Sequence, residues 1–373
     1  MLDNILKRND VVELLKEIVN NPKYYNKQHK YDANYNYVLH EEVLILFYDA
    51  LYKYKVIIED EIYLEDFVKR FEDLLKKLDN IDDIERGISN LIGKLAAKRL
   101  GFNDISDDKY KNTILSYVYD KYVVNGYYIR GVSKKDYQNI KAKGLVKNIY
   151  KDEEKKLKEL SDKYGLKIFD NFKEDITFST NFKFGCLYSI NSPIYLSNLV
   201  SGEERLDESA YYLKDYDKCL DNINKKLGSL LTNDSDKQEI VSIFNKLWKY
   251  YNSTDNNIYL ILVKRDKLDS TIEIFNFDEE FDVYDGLYKI FSTYHSYNAQ
   301  EGISNKLLTF VELPSCNQFI KGNEKEKEKK KKEKKIEVVH DGFSIEDRFG
   351  KASIFLIIGT ILVIIGVLIT IIS

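Results

Sequence analysis

The chain has 373 residues, with 57 Lys and Arg against 61 Asp and Glu, a formal net charge of −4, and 44% hydrophobic residues. That balance, with no basic patch in the body, excludes nucleic acid as the main partner. Cys186, Cys219 and Cys316 are odd in number and far apart, which excludes a disulfide framework, while His29, His40, His295 and His340 fall in no zinc-type spacing, so no metal is expected.

Residues 1–125 read as a helical bundle. The first 19 residues mix charges with amphipathic spacing and lack the apolar h-region of a secretory signal. Over 11–19 apolar residues recur at three and four. Residues 38–56 carry Val43, Leu44, Phe47, Leu51 and Tyr54 on one stripe, and 61–78 present Leu64, Phe67, Val68, Phe71, Leu74, Leu75 and Leu78. Segments 84–100 and 110–122 bring the total to about five helices. Asp10, Asp60, Asp82 and Asp107 or Asp108 are the expected N-caps, because a side-chain carboxylate satisfies an amide left unpaired at a helix start.

The character changes at Asn125-Gly126, a turn signal followed by the strand-forming Tyr127-Tyr128-Ile129. An α+β domain is predicted over 126–320, since helices and strands then mix without βαβ regularity. Helices are expected over 134–143, 152–164, 209–231 and 237–251, with Phe244, Leu247 and Trp248 as helix core; strands are expected over 176–179, 258–265, 270–277 and 307–313. The 30 tyrosines suit core-boundary packing. No GxxxxGK[ST], GxGxxG or GxSxG occurs, which removes the main support for the common nucleotide-binding folds and for an α/β-hydrolase.

The segment GYYIRGVSKKDYQNIKAKGL, residues 126–145, resembles the opening of ADP-ribosyltransferase folds. The resemblance implies that Arg130, at a strand end and followed by Gly131 and Ser133, contacts NAD; a planar, permanently charged fork suits a pair of pyrophosphate oxygens. In ITFSTNFKFGCLYSINSPIY, residues 176–195, Ser179-Thr180-Asn181 stands where arginine-type members carry Ser-Thr-Ser, and Tyr188 with Ser192-Pro193 is similar to the tyrosine of histidine-type members. In LLTFVELP, Glu312 matches the glutamate that holds the nicotinamide ribose, where a fixed negative charge favours an oxocarbenium-like transition state.

So read, Glu312 and Ser179 are catalytic, Arg130, Gly131, Thr180 and Tyr188 bind the cofactor, and NAD is the substrate. The pattern departs at Phe310, where arginine-type enzymes place Glu or Gln, and at Asn181. Residue by residue a structural alternative stands beside it: Arg130 as a strand-end surface arginine, Ser179-Thr180 as a turn or helix cap, and Glu312 as the exposed member of an alternating strand.

Residues 321–350 form a charged juxtamembrane linker, or a solvated helix supported by Glu and Lys spaced four apart. From Ala352 to Ser373 no charge occurs, and residues 351–373 are predicted to form a single transmembrane helix. At about 1.5 Å per residue this stretch reaches roughly 33 Å, enough for a hydrocarbon core of about 30 Å. Lysines outnumber glutamates over 321–335, which puts the preceding residues on the cytoplasmic side. The expectation is a tail-anchored, single-pass membrane protein with a cytoplasmic body. Its partners are then the lipid bilayer and an unidentified membrane-proximal protein. Its function is either that of an ADP-ribosyltransferase-like enzyme or that of a non-catalytic interaction module.

Overall fold

The computed structural model describes residues 2–20, 33–57, 64–77, 81–146, 152–169, 176–190, 193–201, 216–252, 257–268, 276, 280–292, 296–299, 301–316 and 319. The chain divides into two units, Met1–Asn317 and Gln318–Ser373, and every element below belongs to the first. The linker and the membrane span expected over 321–373 lie outside the described residues. No helix among the described residues is long and apolar enough to cross a membrane.

The N-terminal helices are α1 (Leu2–Leu6), α2 (Asn9–Asn20), α3 (Ala33–Ile57), α4 (Leu64–Lys77), α5 (Ile81–Arg99) and α6 (Asp108–Tyr119), which runs into one π turn, Asp120–Val124. Asp107 caps α6 as predicted, its carboxylate accepting from the Lys109 amide. Asp10 instead lies in the first turn of α2, held by the Arg8 guanidinium, and Asp82 falls inside α5. Asp60 lies outside the described residues.

The stripe predicted on α3 understates its burial. Residues 43–55 are buried on every side, because α2, α5 and the later helix α9 (Phe182–Ile190) all pack on α3. Of the charges this traps, Lys53 pairs with Asp49 one turn away at 2.5 Å and lies over the Phe291 ring, whereas the buried Lys55 amine meets no hydrogen-bond partner among the described residues. Burial pushes the Asp49 carboxyl up despite that pair.

The remaining elements are β1 (Tyr127–Val132), α7 (Lys134–Lys143), α8 (Asp152–Tyr164), β2 (Ile176–Ser179), α9, α10 (Ile194–Ser201), α11 (Tyr216–Leu230), α12 (Asp234–Tyr251), β3 (Ile258–Lys264), α13 (Val283–Ser292), β4 (Ser296–Ala299) and β5 (Leu308–Leu313). The mixture of helices with one antiparallel sheet makes the described unit α+β. α7, α8 and β2 keep the bounds that their periodicity predicts. The strand expected over 270–277 lies outside the described residues apart from Asn276.

The five strands stand in the order β4-β2-β1-β3-β5, every neighbouring pair antiparallel. β3 is buried from Ile258 to Val263, as an interior strand covered on both faces must be. One face carries Tyr128, Val132, Phe178, Tyr259, Ile261 and Val263, with Tyr137 of α7 packed against them. The other face is covered by α9, and α3 lies behind α9, where Phe182 stacks on Tyr52 with centroids 4.6 Å apart.

A second core joins α8, α10, α11 and α12 through Leu157, Leu196, Ile223, Phe244 and Leu247, with Trp248 against it. The buried Glu154 carboxylate accepts the Tyr195 hydroxyl at 2.6 Å and the Tyr251 hydroxyl at 2.9 Å, which satisfies a charge that an apolar core would otherwise strand. The segment leaving β5 is fastened back to α3. The Tyr48 hydroxyl donates to the Pro314 carbonyl at 2.7 Å, and the Cys316 thiol to the Glu41 carboxylate at 2.8 Å.

Candidate functional site

Register decides which side chains can meet. β1 pairs with β2 through Ile129 opposite Ser179, and with β3 through Arg130 opposite Ile261 and Val132 opposite Tyr259; Tyr259 in turn faces Glu312 on β5. Paired residues share a face and neighbours along a strand alternate. Arg130 and Glu312 therefore lie on the α7 side of the sheet, whereas Ser179 lies on the α9 side. Three strand spacings separate β2 from β5, about 14 Å across the strands, and the rows of Ser179 and Glu312 differ by about 10 Å along them. The sheet does not bring these three side chains into one cleft.

Arg130, Gly131, Ser179 and Glu312 each have a local role in the fold. The Arg130 Nη1 donates to the Thr177 carbonyl at 2.8 Å, tying β1 to β2. Glu312 is exposed on the edge strand and accepts from the Asn257 amide at 2.6 Å and the Tyr259 hydroxyl at 3.3 Å. Between Arg130 and Glu312 the same face is filled by rings, with Tyr137 lying 5.0 Å from Tyr259 and 5.5 Å from Phe310.

The Ser-Thr-Asn triplet forms the entry to α9. The Ser179 hydroxyl accepts from the Asn181 amide at 2.9 Å, the Asn181 side-chain oxygen accepts from the Phe184 amide at 3.4 Å, and its side-chain nitrogen donates to the Phe291 carbonyl of α13 at 3.1 Å. All three side chains are buried. The Thr180 carbonyl accepts the Tyr122 hydroxyl from the π turn at 3.0 Å. Asn181 is thus suited to this place by its reach, since the shorter serine of the resembling pattern does not span to α13.

Gly131 is explained by close approach. A Cβ there would sit 2.0 Å from the Gly185 carbonyl oxygen and 2.4 Å from the Ser189 amide nitrogen, so its absence is what lets α9 lie against β1. Ser189, which sequence reasoning missed, completes that contact. Its hydroxyl accepts from the Tyr259 amide at 2.6 Å and donates to the Val132 carbonyl at 3.1 Å. Tyr188 beside it is 47% exposed, on the α9 side, with Arg130 on the other. No motif announces Ser189; it stands out only once α9 is known to cross the ends of β1 and β3.

Ser133 caps α7, accepting from the Asp136 amide at 3.2 Å and donating to its carboxylate at 2.7 Å. Asp136 also accepts the Tyr250 hydroxyl, and burial together with that bond pushes the phenol well above its usual range. This linkage locks α7 to α12. Among the described residues no cluster of His, Cys, Asp or Glu is arranged to hold a metal. No known protein family, curated protein or solved structure matches the chain.

Proposed function

We propose that this chain is a membrane-tethered, non-catalytic interaction protein, its body held near the bilayer by the span predicted over 351–373. One observation carries the non-catalytic part: Ser179 and Glu312 take opposite faces of the sheet, three strands apart, while NAD cleavage by the resembling family needs both at one ribose. The hydrogen bonds of Ser179 and Asn181 to the start of α9 support the same reading, because a side chain that closes a helix entry is withdrawn from a ligand. The tether rests on the charge-free C-terminal sequence and the lysines before it.

The test uses the full chain in detergent, with NAD up to millimolar concentration. The expected result is no nicotinamide release and no saturable NAD binding. Chemical crosslinking at the membrane should still capture the same partner after Arg130→Ala and Glu312→Gln are combined. Nicotinamide release by the wild type that disappears in Glu312→Gln would overturn the proposal in favour of a transferase.

A further inference from the structure

Arg265 opens the short 3₁₀ turn that follows β3, and its side chain is turned inward. Only 3% of it is exposed, and none of its three guanidinium nitrogens meets a hydrogen-bond acceptor among the described residues. The guanidinium lies over a ring face, its carbon 5.0 Å from the Tyr128 centroid. Tyr52, Tyr119 and Tyr122 complete the surroundings. All four tyrosines are buried, at the joint where α3, the end of α6 and the π turn meet the sheet.

A guanidinium does not shed its proton in a protein, and a buried charge without a counter-charge is among the most costly arrangements a fold can hold. The phenols do not supply the missing negative charge, because burial holds the Tyr52 and Tyr122 hydroxyls well above their usual range and therefore neutral. The Tyr52 hydroxyl is itself buried beside the Tyr127 backbone amide, and its O–H meets no acceptor among the described residues. Among the described residues the joint thus offers several guanidinium N–H groups and one O–H that meet no acceptor.

We propose that the Arg265 guanidinium is the centre of an internal site for a small anion, of formate or chloride size, which also takes the Tyr52 hydroxyl as a donor. Small size follows from closure, since Tyr52, Tyr119, Tyr122 and Tyr128 around the guanidinium are all buried. The occupant neutralises the joint between the N-terminal helices and the sheet, so the folded chain binds it and the unfolded chain does not. This inference is independent of whether the protein cleaves NAD.

The test is thermal unfolding of the full chain in detergent at constant ionic strength, with sodium gluconate, too large to enter, replaced stepwise by sodium chloride or sodium formate. The wild type should gain about 5 °C in Tm along a saturating curve. A response to formate alone assigns an oxyanion site and a response to chloride a simpler charge site; either supports the proposal. Arg265→Met should lose the response and, in gluconate, melt no lower than the wild type, because it removes the stranded charge. No saturable response in the wild type, or the same response in Arg265→Met, overturns the site. Should Arg265→Met fail to fold, Tyr52→Phe serves, because it keeps the stack on Phe182. It should raise the half-saturating concentration about fivefold, the loss of one hydrogen bond, and an unchanged value overturns the site as drawn.

Discussion

Replacing Gly131 with alanine separates a packing role from a ligand-binding one. The new methyl would meet the Gly185 carbonyl oxygen at 2.0 Å, the Ser189 amide nitrogen at 2.4 Å and the Tyr188 carbonyl carbon at 2.9 Å. All three are backbone atoms of one helix, so no side chain can rotate away and α9 itself must shift. Overpacking of this kind costs about 1–3 kcal/mol. A shift of α9 also stretches the two Ser189 bonds to Tyr259 and Val132, each worth about 1 kcal/mol. The expected loss is therefore about 3–5 kcal/mol, a large share of the roughly 5–15 kcal/mol that stabilises a typical fold.

Urea unfolding followed by the single tryptophan, Trp248, reads this loss from outside the altered contact, because Trp248 packs in the α8–α12 core. Gly228→Ala is the control. Nothing lies within 4 Å of its new Cβ in α11, and it should stabilise by up to about 1 kcal/mol. A Gly131→Ala chain within about 1 kcal/mol of wild type would refute the packing argument and return Gly131 to a ligand-contact role.

Asn181→Ala should lose about 1–3 kcal/mol by leaving the Phe291 carbonyl unpaired in the core, and Asn181→Ser should fail to restore it in the same urea assay. Leu287→Ala, at a fully buried α13 position against Gly93 of α5, should lose about 2–5 kcal/mol by cavity formation, measured as a lower urea midpoint with an unchanged slope. The Asp236 carboxylate is held below its ordinary pKa of 3.8 by hydrogen bonds from Lys163 and Tyr164. Its stabilisation is present above that value and is lost as the pH falls through the folded pKa. Asp236→Asn should therefore narrow the stability difference between pH 6 and pH 3, and an unchanged difference would count against the Lys163–Asp236 link.

Two helices with one wet face are legible to their ends. α7 and α8 alternate buried with charged residues, and their bounds follow from the pattern. α9 is not legible, because Phe182, Gly185 and Cys186 are buried between the sheet and α3 and its nine residues show no single apolar stripe. α13 is buried at Val283, Gly286, Leu287, Ile290 and Phe291, with two glycine-shaped contacts to its neighbours that only the tertiary structure explains. The candidate site was less legible still. Arg130, Ser179 and Glu312 occur in the right order, but strand order and register fix their faces, and a one-residue change in pairing would reverse them. Neither quantity is written in a short motif.

The bonds from Tyr48 to Pro314 and from Cys316 to Glu41 have a mechanical consequence. Tension reaching this unit along its C-terminal segment meets two connections to a buried helix before it meets the β3–β5 ladder. An edge strand pulled from its end peels one bond at a time under low force. With the load delivered instead to α3, at the centre of the helical layer, peeling is blocked until the clamp fails. A body pulled through such a clamp yields in one abrupt step, so it keeps its shape under smaller loads.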